Sequence, residues 1–520
     1  VQILLCALWL LGTGQAGAQQ AGDRAVLDRV YALRNGSLLW SRGGHPTAQA
    51  EALTAQLQDI GRFGLRAEDY QAANLERELH SLSTTGASTD VRWSKFDQAL
   101  SMAALAVLHD LHFGRIDPRA AGFDMPARHD DFDAGALLTQ LAVQAGPEAV
   151  LTEAEPQYLH YQLLRKALLR YRALAAMPAV SPLPTLSGRS MHAGQSYAGA
   201  PALRRLLARI DTLPADQAAD SSPLFDEALS VALRRFQRLH GLREDGVLDR
   251  DTLAELVVPL PRRVRQIELT LERWRWLPAL RPPTLIVNIP AFRLFLIRST
   301  IDRESDMLRM NVIVGREYPQ RHTPVFASDM DAVIFRPYWE VPASIAQHEL
   351  LPQMRRDPGM LSAQNFELVT NDTRALAVAP TPQNLDALAS GQLRLRQRPG
   401  ADNALGLIKF VLPNHYDVYL HSTPAQRLFA EPHRAFSHGC VRVSDPVALA
   451  TAVLEGTPGD WTPEKVRAAM NGEATFRVAL ARPVHVLIVY GTAIASEDGE
   501  VHFFQDIYGY DARLERLLGP

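Results

Sequence analysis

The sequence predicts an α+β multi-domain protein: a helical scaffold, a small three-helix module, and a β-rich domain with a lid inserted into it. Three observations carry this reading. The chain has 520 residues, enough for about three domains of ordinary size. Its texture changes at Pro283, from Ala-, Leu- and Arg-rich segments with helical spacing to short β-branched runs separated by turns. The stretch 178–200, with Pro178, Pro182, Pro184, Gly188, Gly194 and Gly199, reads as a linker. Hydrophobic residues at 47% and charged residues at 21% supply several cores and exclude a disordered, collagen-like or polytopic membrane chain. A net charge of −3 argues against nucleic-acid binding, which needs a basic face.

The first segment, 1–18, holds an apolar run from Val1 to Leu11 followed by Ala16-Gly17-Ala18. That is the layout of a secretory signal cleaved after Ala18, with an uncleaved anchor as the alternative. The opening Val and the missing basic residues lead us to expect a few residues ahead of this sequence. Cys6 lies in this segment, and Ile3-Leu4-Leu5 lacks the small residue expected before a lipidated cysteine. With two cysteines the chain can build neither a disulfide framework nor a Cys₄ zinc site. If Cys6 departs with the signal, Cys440 is left unpaired in an oxidising compartment, where a free thiol must be buried or used.

Residues 23–185 form the helical scaffold: Leu100, Ala103, Ala104, Val107, Leu108 and Leu111 recur at helical spacing. Gly114 and Pro118 then break the pattern, and a second helix from Tyr158 to Leu174 stops at Met177-Pro178. Residues 200–258 form the compact module. Phe225, Leu229, Ala232, Leu233 and Phe236 share a helical face, and Gly241 sits at a left-handed cap. After the Asp245-Gly246 turn, a last helix runs from Thr252 to Leu256, capped by Asp251 or Thr252. Residues 259–282 carry a linking helix with Trp274 and Trp276. The β-rich domain spans 283–520, with strands at 284–289, 293–297, 310–314, 332–335, 406–412, 417–420 and 484–490. Residues 343–400 turn helical and loop-rich within it, which marks them as the insertion.

The chemistry concentrates in Tyr419-Leu420-His421-Ser422-Thr423-Pro424 and Ala435-Phe436-Ser437-His438-Gly439-Cys440-Val441-Arg442-Val443. A cysteine nucleophile needs a base, donors for the developing oxyanion and something to hold the base. His421 ends a strand, a rigid place for a base. Gly439 lets backbone approach a substrate, and the N–H groups of Gly439 and Cys440 are the expected oxyanion donors. A zinc site from His421, His433, His438 and Cys440 lacks the usual paired-ligand spacing, so neither metal nor cofactor is expected.

The His, spacer, Ser-His-Gly-Cys-x-Arg pattern resembles the signature of L,D-transpeptidases, cysteine enzymes that cross-link peptidoglycan. The histidine-to-cysteine separation is 19 positions (440 minus 421). The resemblance implies that Cys440 is the acyl-accepting nucleophile and His421 the base. It implies that Ser422, Ser437, His438 and Gly439 shape the site, and that Arg442 receives substrate carboxylates. Large members carry another residue at the position of His438, which points to a hydrogen-bonding role there. Trp339, Tyr416 and Tyr419 are candidates for an aromatic-lined cleft. The run Phe236 to Leu253 resembles the peptidoglycan-binding repeat of cell-wall enzymes, with Asp249 where that family usually has Gly. The whole arrangement resembles the large multi-domain L,D-transpeptidases of Gram-negative bacteria. Arg336 to Pro342 and Gln347 to Pro352 stand where their lid branches off.

That resemblance implies a periplasmic enzyme forming 3→3 cross-links from a tetrapeptide donor, and acylation of Cys440 by carbapenems. Its partners would be peptidoglycan stem peptides and glycan, with wall-synthesis proteins beside them. Inner-membrane contact follows only if the N-terminal segment stays. Two other readings use the same residues: an L,D-carboxypeptidase or a lipoprotein-linking or -releasing enzyme, and a non-catalytic wall-binding scaffold.

Overall fold

The computed structural model describes residues 19–84, 90–126, 128, 131–144, 146–186, 188–299 and 303–519. The expected signal, with Cys6, lies outside the described residues. Among those residues no helix is long and apolar enough to cross a membrane.

The helices Ala48–Gln58, Ala72–Thr84, Asp90–Phe113, Ala134–Leu141 and Pro147–Ala154 close around one core that includes Trp40, Trp93, Phe96, Leu100 and Leu108. The buried Asp97 is fully used: it accepts from the Tyr31 hydroxyl at 2.6 Å, the Leu39 N–H at 3.2 Å and the Trp40 N–H at 2.6 Å. The helix Leu159–Ala176, expected within this scaffold, packs elsewhere. Its Tyr161, Leu164, Leu168 and Tyr171 join Ile267, Leu271, Ala493 and Phe503 in a separate core. Amphipathicity shows which face is buried, not what covers it.

The module contains the helices Ala200–Arg209, Glu227–Leu239 and Arg250–Leu256 around Leu203, Phe225, Leu229, Leu233 and Phe236. Its last helix starts earlier than expected, because Asp249 is the cap: its carboxylate accepts the Thr252 N–H at 2.8 Å. Gln237 ties the preceding turn down, accepting the Gly246 N–H at 2.8 Å and donating to the Val247 carbonyl at 3.0 Å.

The helix Leu260–Arg275 buries charge between the units. Arg273 meets Asp511 at 2.6 Å, and Arg275 meets Glu272 at 3.2 Å and the Phe63 carbonyl at 2.6 Å. Glu272 in turn accepts the N–H groups of Arg115 and Ile116 at 2.5 and 2.9 Å. One helix thus fastens scaffold, C-terminal segment and catalytic sheet together.

That sheet has nine strands: β1 (Thr284–Asn288), β2 (Arg293–Ile297), β3 (Leu308–Gly315), β4 (Phe326–Phe335), β5 (Ile408–Val411), β6 (Leu420–His421), β7 (Ala435–Ser437), β8 (Val441–Val443) and β9 (Phe476–Val489). Their order is β7-β3-β8-β6-β5-β4-β9-β1-β2, and a β2–β3 pairing closes the sheet on itself. Between β4 and β5 the chain builds a second sheet from Trp339–Glu340, Phe366–Thr370, Ala377–Val378 and Leu393–Gln397. With its helices it encloses a core of its own around Met354, Leu368, Leu385 and Leu395. The insertion is therefore a small α/β unit; the sequence showed its helices but not its strands. Asn403 pins its two ends together, donating to the carbonyls of Pro337 and Arg398 at 3.3 and 2.9 Å.

Candidate active site

The site is built on the adjacent strands β5, β6 and β8. Lys409, His421 and Arg442 stand in one row across them, since Lys409 pairs with His421 and His421 with Arg442. Side chains alternate along a strand, so Tyr419 and Cys440, each two residues earlier, share that face. The intervening Leu420 and Val441 point into the core and are fully buried. The spacings Tyr419-x-His421 and Cys440-x-Arg442 thus bring four predicted site residues together, with Lys409 as a fifth. Lys409 was absent from the sequence expectations. Its signal is a single cation in the otherwise apolar run Gly406 to Leu412.

Cys440 is a free thiol, partly accessible, with Sγ 3.7 Å from the Asp417 carbonyl. Burial pushes the thiol up from its ordinary value. Hydrogen bonds from the backbone and phenol of Tyr419 and the charges of Lys409 and Arg442 oppose that rise. Lys409 Nζ lies 3.7 Å from the centre of the Tyr419 ring. Trp339 is hydrogen-bonded to Tyr419, so the insertion touches the nucleophile through one phenol. Arg442 is half-buried, and among the described residues its Nε has no hydrogen-bond partner and no carboxylate pairs with it.

His421 is buried, and its Nδ1 lies 2.6 Å from the Ser422 carbonyl. A carbonyl only accepts, so Nδ1 carries the hydrogen and Nε2 keeps its lone pair. Burial, then the charge of Arg442, pushes its pKa down to about 3, with carbonyl contacts to Ser422 and Leu405 opposing. The ring is neutral at pH 7. Among the described residues no hydrogen bond joins His421 to Cys440.

The turn before Cys440 departs from expectation at one point. The Gly439 N–H donates to Ser437 Oγ at 3.1 Å, and that hydroxyl donates to the Cys440 carbonyl at 2.6 Å. Gly439 is thereby lost as an oxyanion donor, while the Cys440 N–H has no partner among the described residues. Gly439 takes φ +121°, a left-handed conformation that favours glycine. Ser422 is structural through its side chain, with Oγ accepting from Leu407 N–H at 2.8 Å and donating to the Leu405 carbonyl at 3.1 Å. His438 turns away from the thiol: its Nε2 lies 3.1 Å from Glu349 of the insertion, which also holds Arg321 at 2.7 Å. His433 pairs with Glu317 at 3.2 Å. Tyr416 lies outside the cluster, against Phe326 at 5.4 Å between ring centres and bonded to Asp124 of the loop between the scaffold helices Asp90–Phe113 and Ala134–Leu141. Its side chain is exposed.

A thiol, a neutral imidazole and cations without ion pairs thus share one strand face. Three family models match: a scaffold domain at residues 25–168, a "putative peptidoglycan binding domain" at 199–256, and an L,D-transpeptidase catalytic domain at 282–463. The chain is a multi-domain protein carrying peptidoglycan-binding and L,D-transpeptidase domains. It is homologous to a "Putative L,D-transpeptidase" of Haemophilus influenzae, with 30% identity over 283 residues, 53% of this chain and 55% of the relative. The match thus spans about half the length of that curated relative.

Proposed function

We propose that the protein is a periplasmic peptidoglycan L,D-transpeptidase that forms 3→3 cross-links through a Cys440 thioester. The observation that carries this is the shared face of Cys440, Tyr419, His421, Lys409 and Arg442. The Cys440 sulfur adds to the carbonyl carbon of the amide after the third residue of a tetrapeptide stem, and the carbonyl electrons move onto oxygen. The Cys440 N–H meets that oxygen. His421 Nε2 takes the thiol proton as the complex tightens and returns it to the leaving amine of the terminal D-alanine. The side-chain amine of a neighbouring stem then attacks the thioester and releases the thiol.

The charges support this assignment. A neutral His421 is free to accept a proton. Lys409 and Arg442 form no ion pair among the described residues and face Cys440, whose charge acts on Lys409 more strongly than those of Glu340 and Asp417. The insertion, touching the site at Trp339 and Glu349, acts as a lid over the bound stem, and the three-helix module holds the wall.

Intact mass after carbapenem treatment tests the nucleophile. One adduct is expected on the wild-type chain and none on Cys440→Ala; an adduct on the variant overturns the assignment. Product masses from defined muropeptides test the acceptor. A dimer is expected, and a tripeptide alone would replace cross-linking with L,D-carboxypeptidase activity.

A further inference from the structure

We propose that Thr323 and Tyr508, remote from the cleft, are positioning residues that set the direction of the Cys440 N–H. The inference rests on the acyl-transfer reading above and concerns the backbone donor of the nucleophile itself.

The peptide joining Gly439 to Cys440 sets the direction of that donor. In a trans peptide the C=O and the following N–H lie in one plane and point in opposite directions. The Gly439 carbonyl accepts a hydrogen bond from Thr323 Oγ1 at 2.8 Å. The Cys440 N–H therefore points away from Thr323, and it meets no partner among the described residues. Holding the carbonyl aims the donor. The Gly439 N–H, the neighbouring donor, is already spent on Ser437.

Thr323 is fully buried and its own direction is dictated. Its hydroxyl has a single hydrogen. Oγ1 accepts the Gly315 N–H at 2.8 Å, which leaves that hydrogen for Gly439. The Thr323 N–H donates to the Tyr508 hydroxyl at 3.2 Å, and Tyr508 donates to the Gly315 carbonyl at 2.6 Å. Gly315 is thus gripped at both backbone groups, and it must be glycine, since a Cβ there would lie 1.9 Å from the Arg321 carbonyl. Tyr508 stacks on His322 at 3.8 Å between ring centres, 8° from parallel, and its N–H donates to Tyr490 at 2.9 Å. Burial pushes the Tyr508 phenol up, so it keeps the hydrogen that Gly315 receives. The C-terminal segment thereby reaches the nucleophile's turn through two hydroxyls, neither of which touches the thiol.

The test compares two reactions of one sulfur in the full chain. Alkylation by iodoacetamide forms no oxyanion; acylation by a carbapenem does. In Thr323→Val, acylation should slow about 10- to 100-fold, the range expected when an oxyanion donor is misaimed, while alkylation stays within about twofold. Thr323→Ser should restore acylation. Tyr508→Phe should slow it about fivefold, again sparing alkylation, and provides the same comparison if the valine variant does not fold. Equal loss of both reactions, or acylation at the wild-type rate in the valine and phenylalanine variants, overturns the proposal. A wild-type chain that alkylates but never acylates overturns the acyl-transfer reading itself, and this inference with it.

Discussion

Two sets of cations in this molecule, one buried along a helix and one half-buried on a strand face, are handled oppositely. Along the helix Leu260–Arg275 each is given a carboxylate: Arg273 has Asp511, Arg275 has Glu272, and Arg263 has Glu255 at 2.5 Å. On the β5-β6-β8 face Lys409 and Arg442 have none among the described residues. The protonation energetics separate in step. Burial works against the charge of Arg275, but Tyr161, Glu272 and Glu155 more than offset it and its pKa rises. Burial also works against Arg442 and Lys409, where the main opposing charge is the Cys440 thiolate, and both fall. Paired burial fastens domains together. The half-buried cations of the strand face stay available for the thiolate that the proposed reaction forms.

The largest expected effect breaks the paired region. Arg273→Met leaves Asp511 in the core without its cation, and should cost about 3–5 kcal/mol of stability in denaturant unfolding. Replacing both partners, Arg273→Met with Asp511→Leu, should recover most of that loss, because the penalty belongs to the orphaned charge. A single variant as stable as the wild type would mean that the pair is not what holds the C-terminal segment.

This contrast shows why some of the molecule was legible in the sequence and some was not. Cys440 and His421 were legible because a period of two and a short spacer carry their geometry without tertiary detail. Lys409 was missed because a lone lysine in a strand looks like an ordinary solvent-facing residue; only the neighbouring strands make it a site residue. The fate of the Gly439 N–H was not legible because the Ser437 side chain, two residues earlier, captures it only in the folded turn. What the helix Leu159–Ala176 packs against was not legible, because its apolar stripe is the same whichever surface covers it. The strands of the insertion escaped because Leu393–Gln397 alternates leucine with arginine, and its cations find Glu340 and Glu367 only after folding.

Lys409→Met sharpens the unpaired side of the comparison. Methionine keeps the apolar stem and removes a charge that faces Cys440. The thiol should rise further, so alkylation at pH 7 should slow severalfold. Stability should hold steady or increase by about 1 kcal/mol, since a desolvated cation without a partner is lost. Paired kinetic and unfolding measurements read both. A loss of several kcal/mol would place Lys409 with the architectural charges instead.

The smallest effect is expected at Glu349, which belongs to neither region. It joins His438 of the nucleophile's turn and Arg321 to the insertion, and about a third of each side chain is exposed. Solvent screens such pairs, so Glu349→Gln should change stability by less than about 1 kcal/mol. Its effect should appear in His438 and in the insertion. Burial lowers the His438 pKa and Glu349 opposes that, so removing the carboxylate should lower it further in an NMR titration. The contact also spans the gap between the turn and the helical part of the insertion. Its loss should therefore raise amide exchange across residues 343–356 while leaving exchange in β5, β6 and β8 unchanged. Faster exchange in those strands as well would mean that the insertion supports the site face rather than resting on it.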